Sequence, residues 1–164
     1  MTAEPMIAER PAQRYVAIKV LVTMETLGAV VPPLNREVFA WLADRGVAPA
    51  GPPFWKYNVI DMEHGLEIEA GVAVAAPVQG NERVLAGVLP TGRYLTVLHR
   101  GHPETLLNAT AGMLDWAAAH GLAWDMSLSP EGERWGCRLE IYRTDPQAEP
   151  DMTKWETELA FRLA

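Results

Sequence analysis

Arg14-Tyr15-Val16 opens an apolar stretch early in the chain, and Arg93-Tyr94-Leu95 opens another in the second half. The signals that follow each recur in the same order. A Trp-x4-Gly pattern closes a helical segment as Trp41 to Gly46 and again as Trp116 to Gly121. Tyr57 finds a counterpart in Tyr142, and Glu69-Ala70-Gly71-Val72 in Glu158-Leu159-Ala160-Phe161. A copy of roughly 80 residues is longer than a solenoid repeat, so the pattern predicts two copies forming one pseudo-symmetric domain with a cleft between its halves.

Each copy reads as strand, helix, strand, strand. Tyr15 to Thr23 and Tyr94 to His99 are β-branched and apolar enough for the first strands. In the first helix, Pro32-Pro33 precede Asn35 as an expected N-cap, and Leu34, Val38, Phe39, Trp41 and Leu42 recur at helical spacing until Gly46. In the second, Leu106, Leu107, Thr110, Met113, Leu114, Ala117 and Ala118 define the expected buried face, and Gly121 stops it. Phe54 to Ile60 and Gly136 to Arg143 are the third elements, Leu66 to Val74 and Trp155 to Leu163 the fourth. The resulting class is α+β, with duplicated βαββ units, antiparallel sheets, helices on one side and a central ligand groove. Residues 1–13 read as an N-terminal extension and 14–164 as a single domain, with repeat one over 14–76 and repeat two over 92–164. Segments 77–92 and 144–154 read as turn-rich connections. Alternation in Cys137, Leu139 and Ile141 against Arg138, Glu140 and Tyr142 is read as placing the first set under the helix, with Glu140 on the helix-free face beside Trp55 and Tyr57.

Composition narrows the function classes. The chain has 164 residues, 49% of them hydrophobic, which suits an ordinary globular domain with its own core. Fourteen basic against 21 acidic residues give a formal charge of −7, and no Lys/Arg block offers a phosphate-binding stripe, so nucleic acid is a poor partner. Met1 to Pro11 has no apolar core of a leader and no run reaches the length of a membrane span, so no membrane association and a cytoplasmic setting are expected. The lone Cys137 permits no intramolecular disulfide.

The run Gly92-Arg93-Tyr94, His99-Arg100-Gly101-His102-Pro103-Glu104, Leu114-Asp115-Trp116, His120-Gly121-Leu122, Leu139-Glu140-Ile141-Tyr142, Thr144-Asp145-Pro146 and Trp155-Glu156-Thr157-Glu158-Leu159 resembles the GyrI-like small-molecule-binding family, also met as the effector-binding domain of AraC-type and MerR-type regulators. The resemblance implies two βαββ units side by side and a central groove for bulky, often cationic, aromatic compounds. It implies a key glutamate in the strand before the last, which Glu140 matches, and an aromatic near the start of the last strand, which Trp155 matches. Where a Gly-Pro-rich approach to that strand is common, this chain has Trp135-Gly136-Cys137-Arg138, and an inward Arg138 would compete for the glutamate's charge.

The expected ligand-binding residues are Glu140, Trp155, Tyr142, Tyr57, Trp55 and Trp135, with no cofactor and no metal. A desolvated carboxylate needs a compensating charge, and a lipophilic cation between aromatic walls supplies it. The function that follows is a stand-alone binder of aromatic or cationic small molecules, in sequestration, detoxification or regulation of a separate partner. The resemblance also implies an enzymatic alternative, a hydrolase of strained cyclopropanoid compounds with Glu140 as base and Tyr57 or Tyr142 on the substrate oxygen. A protein-interaction module is the third reading, so enzyme status stays open. Trp41 and Trp116 read as core. His99, His102 and Glu104 lack a second ligand pair for a metal, Cys137 lacks a base, and Ser127 and Ser129 lack a nucleophile elbow. Glu69 and Glu158 read as holding strands or rimming the groove.

Overall fold

The continuous apolar stretch that begins at Tyr15 suits a strand buried on both faces; in the computed structural model, which describes residues 1–164, that strand is β2, Gln13–Val22. It follows β1, Met6–Arg10, and leads into helix α1, Leu27–Asp44. Strands β3, Pro53–Asp61, and β4, Gly65–Ala73, come next, then β5, Leu85–Leu89. The second half runs through β6, Gly92–Arg100, and helix α2, Leu106–Ala119. A hairpin of β7, Met126–Ser129, and β8, Gly132–Trp135, precedes β9, Arg138–Tyr142, and β10, Glu156–Arg162. All ten strands join one sheet, in the order β1-β6-β10-β9-β3-β4-β2-β5 with the hairpin attached through β8 to β3, and the registered pairs are antiparallel. The α+β class, the antiparallel pairing and the two helices are those the sequence implies. At the centre of the sheet, β3 from the first half of the chain lies against β9 from the second half.

Four strands lie where the sequence reading placed none: the hairpin strands β7 and β8, and the edge strands β1 and β5. The supposed extension, residues 1–13, contains β1, which pairs with β6. The supposed connection, residues 77–92, contains β5, which pairs with β2. In β5, Gly87 is not a turn residue: it faces Tyr15, whose ring would lie only 2.8 Å from a Cβ at that position. The glycine permits a close strand-to-ring approach, and that use resembles a turn signal in the sequence.

Helix α1 begins earlier than its proline pair suggested. Thr23 and Thr26 exchange backbone-to-hydroxyl hydrogen bonds of 2.9 and 3.2 Å, and Leu27 N–H donates to the Thr23 carbonyl at 2.9 Å. This knot starts the helix ahead of Pro32 and Pro33, which fall inside it. The helix continues through the prolines because Val31, Leu34, Val38 and Leu42 are buried against β2 and β4 in one cluster with Val16, Ile18, Ile68 and Val72. Burying each such side chain contributes roughly 1.5–3 kcal/mol, enough to offset two missing backbone donors. Asn35 is therefore no cap; it is buried on the inner face of the helix.

Helix α2 packs Ala109, Met113 and Ala117 on Leu95, Val97, Leu159 and Phe161. Its buried face is rotated from the expected one: Leu107 is 64% exposed and Ala118 is exposed, while the small Ala109 lets the helix sit close to β6. A third cluster, Tyr15, Ala17, Phe54, Leu89, Tyr94, Leu139, Ile141 and their neighbours, lies on the sheet face without helices. No helix is long and apolar enough to cross a membrane.

Gly46 and Gly121 follow the two helices with φ of 67° each, in the left-handed region. Gly46→Ala and Gly121→Ala should each lower stability in urea denaturation by about 1–2 kcal/mol. Gly112→Ala, inside α2 with open space at the Cβ position, should instead raise it by about 0.5–1 kcal/mol.

Candidate functional site

Cross-strand register decides which side chains share a face. Ile18 pairs with Ala70, Ala70 with Trp55, Trp55 with Glu140, Glu140 with Leu159 and Leu159 with Val97. At one end of this row Ile18 packs in the α1 cluster, and at the other Leu159 and Val97 pack in the α2 cluster. Glu140 therefore lies on the same face as both helices, above the central strands and between them. This corrects the sequence expectation. Leu139, Ile141 and Cys137 are buried on the helix-free face, among Tyr15, Phe54 and Tyr94. Alternation separates the two faces but does not say which one a helix covers; here the second face buries apolar side chains without one.

Four expected residues meet in that central strip. The Tyr142 hydroxyl donates to Glu140 Oε1 at 2.7 Å, and the Tyr57 hydroxyl donates to the same oxygen at 3.0 Å. Trp55 meets the Tyr142 ring edge-on, with centroids 5.1 Å apart. Burial pushes the Glu140 carboxyl above its ordinary value, against the opposing pull of the two phenols and of the Arg138 charge. Burial and the neighbouring carboxylate push both phenols well above theirs. Glu140 Oε2 is left without a donor from the chain, so the strip presents one open carboxylate oxygen among aromatic rings.

The remaining expected residues fall into two groups. Trp135, on β8, is joined to the strip through Arg138, whose guanidinium lies 4.6 Å from the Trp135 ring centroid and 4.4 Å from that of Phe161. Arg138 shares the face of Glu140 but forms no ion pair with it. Trp155 lies just before β10, and its indole N–H donates to the Glu149 carbonyl at 2.7 Å, tying it to the loop before β10 rather than to Glu140.

The sequence reading missed Asn35. Its Oδ1 accepts from the Trp55 indole N–H at 2.7 Å while its Nδ2 donates to the Phe54 and Gly71 carbonyls, each at 3.3 Å. An asparagine between Leu34 and Val38, on an otherwise apolar helix face, was the available signal.

The other singled-out residues serve the framework. Glu69 is buried on the helix-free face, where it accepts from the Tyr15 hydroxyl and the Asn58 amide and lies 3.6 Å from Lys56 Nζ. Glu158 bridges Arg10 at 2.5 Å and Arg143 at 2.6 Å. His99 is buried with one ring nitrogen bonded to Thr2 and the other to Thr105. The Ser129 hydroxyl donates within its hairpin to the Gly132 carbonyl. Cavities of about 160 Å³, between β2, β5 and Pro77-Val78, and 320 Å³, between α2, β6 and residues 2–5, are lined by none of the strip residues.

The two helices on one face of the antiparallel sheet thus leave an aromatic, acid-bearing strip between them. The chain belongs to the GyrI-like small molecule binding domain family, whose model matches residues 3–164. Among solved structures, the EcmrR C-terminal domain superposes with a TM-score of 0.77 at 20% identity, over 98% of this chain and 97% of that one. In an EcmrR–DNA complex the match covers 98% of this chain but 57% of the longer EcmrR chain, at 21% identity and a TM-score of 0.77. SAV2435 bound to tetraphenylphosphonium matches with a TM-score of 0.62 at 9% identity, over 99% of this chain and 94% of that one. A hydrolase from Listeria innocua matches with a TM-score of 0.66 at 14% identity, over 98% and 92%. No curated protein sequence matches the chain.

Tyr57→Phe and Tyr142→Phe each remove one donor from Glu140. In an NMR titration of the side-chain carboxyl, each should move the Glu140 pKa further up, and the double variant furthest.

Proposed function

We propose that the chain binds bulky aromatic compounds, cations among them, in the strip between its helices, with Glu140 as the charge-bearing group and Trp55, Tyr57 and Tyr142 as its walls. The observation that carries this reading is the partly desolvated Glu140 carboxylate held by two phenols with one oxygen free. A cation at that oxygen restores the interaction that burial removed, and the rings add cation–π attraction of roughly 0.5–2 kcal/mol per contact. Trp135 adds apolar surface beyond Arg138, while Trp155 is held by the loop before β10. The rings pack on one another, so a ligand enters by turning the Trp55 and Tyr142 side chains aside. The tetraphenylphosphonium complex of SAV2435, which shares the fold, supports the ligand class.

The test is tryptophan quenching by tetraphenylphosphonium and by neutral triphenylphosphine oxide. Glu140→Gln should weaken the cation about tenfold to a hundredfold and the neutral compound by less than about threefold. Equal losses would remove the electrostatic role. The pH dependence has a definite sign. Below the raised carboxyl pKa, Glu140 is protonated and offers no charge, so cation affinity should climb as pH rises through that value and level off above it. Calorimetry on the acid side should register proton release on binding.

A second reading uses the same geometry for hydrolysis. Both phenols donate to one oxygen of Glu140, leaving the other to take a proton from water while the water oxygen attacks a strained ring carbon; a ring C–C bond breaks, its electron pair passes into the substrate's conjugated acceptor group, and the proton held by Glu140 is delivered there, for net addition of one water. The hydrolase match from Listeria innocua shares the fold. Incubation with an activated cyclopropane compound, followed by mass analysis, should then show addition of one water by the wild type and none by Glu140→Gln; unchanged compound in both retains binding alone.

A further inference from the structure

Arg138 carries a charge that no ion pair or hydrogen bond of the chain meets directly. No carboxylate lies within ion-pairing distance of its guanidinium, and none of its N–H groups reaches an acceptor in the chain. The other partly buried arginines are paired: Arg10 reaches Glu158 at 2.5 Å and Arg162 reaches Asp125 at 2.8 Å. What holds Arg138 is aromatic. Register sets it across from Phe161, and its guanidinium lies 4.4 Å from that ring's centroid, 4.6 Å from that of Trp135 and 5.9 Å from that of Tyr57. Stacking engages the flat faces of a guanidinium and leaves its edge, where the N–H groups lie, open for a planar acceptor. Arg138 is two residues from Glu140 on the same strand and the same face, so their backbone positions are offset by about 7 Å along β9.

We infer that the strip is built for aromatic zwitterions: the cationic end of the ligand meets Glu140, and a carboxylate or similar planar anion meets the edge of Arg138. This rests on the proposed use of the strip as the ligand site and specifies which compounds it prefers. A purely cationic compound satisfies Glu140 but meets the Arg138 charge as repulsion and leaves its donors unanswered. A compound carrying both charges satisfies the carboxylate and the guanidinium at once.

The test compares rhodamine B, which carries a free carboxylate beside its cationic ring system, with rhodamine B ethyl ester, which keeps the cation and loses the anion. Fluorescence anisotropy titrations on wild type should show rhodamine B binding more tightly than the ester. Arg138→Met, which keeps the apolar stem, should weaken rhodamine B about tenfold or more and leave the ester unchanged or slightly tighter. Arg138→Lys keeps the charge without the planar edge and should fall between them, which guards against a folding defect in the methionine variant. Rhodamine B binding no better than its ester, or losing no more than the ester on Arg138→Met, overturns the inference. Glu140→Gln separates the two levels: if it weakens both dyes while Arg138→Met does not distinguish them, the strip is the ligand site and the zwitterion preference is wrong. If neither dye depends on Glu140, the strip is not the site and the inference falls with it.

Discussion

The pairing of β3 with β9 is the constraint on which the site depends. Trp55 faces Glu140 across this seam because the two strands meet in one register, Phe54 to Ile141, Trp55 to Glu140 and Lys56 to Leu139. A slip of one residue would turn Glu140 toward the helix-free cluster and expose Leu139 or Ile141 in its place. The apolar side chains on both faces oppose that slip. Just past the seam, β3 carries a bulge between Tyr57 and Val59, beyond which it pairs with β8 instead of β9. The bulge ends one pairing and starts another, so Tyr57 is the last β3 side chain to reach the acidic strip.

Two of the sheet's partly or fully buried glutamates, Glu69 and Glu140, sit in surroundings that make them different objects. Glu69, on the helix-free face, is surrounded by a phenol, an amide and a lysine, all from neighbouring strands. Its oxygens are occupied, and it acts as a tie across β2, β3 and β4. Glu140 has two phenols on one oxygen and none on the other. The contrast lies in how completely the chain satisfies the group, since both carboxylates are largely removed from water.

Much of this organisation was legible in the sequence because hydrophobic period and helix-ending glycines are local signals. The strands from Tyr15, Phe54, Leu66, Tyr94 and Trp155, and both helix ends, follow from them. The residues Trp55, Tyr57, Glu140 and Tyr142 were also identifiable, two to each of the central strands. What was not legible depended on the third dimension. The face occupied by Glu140 is decided by which cluster the helices cover, and period-2 alternation is silent on that choice. The strands β1 and β5 lie at the sheet edges, where Glu9 and Arg10 or a glycine under a tyrosine ring disguise the pattern. Asn35 read as a cap because helix-starting asparagines are common and a pair of prolines stood before it.

The Asn35 contact gives the first helix a stake in the site. Trp55 has its indole N–H committed to this one side chain, and the same side chain grips two backbone carbonyls of β3 and β4. The turn that bears it follows Pro32 and Pro33, which supply no N–H of their own, so this stretch of α1 is fastened to the sheet more than to itself. Turning the indole aside would strand a buried amide oxygen, at a cost comparable to a lost hydrogen bond. The orientation of the Trp55 indole, and with it one wall of the acidic strip, is thus fixed by a side chain on the inner face of α1, which stays fastened to β3 and β4 through its amide nitrogen.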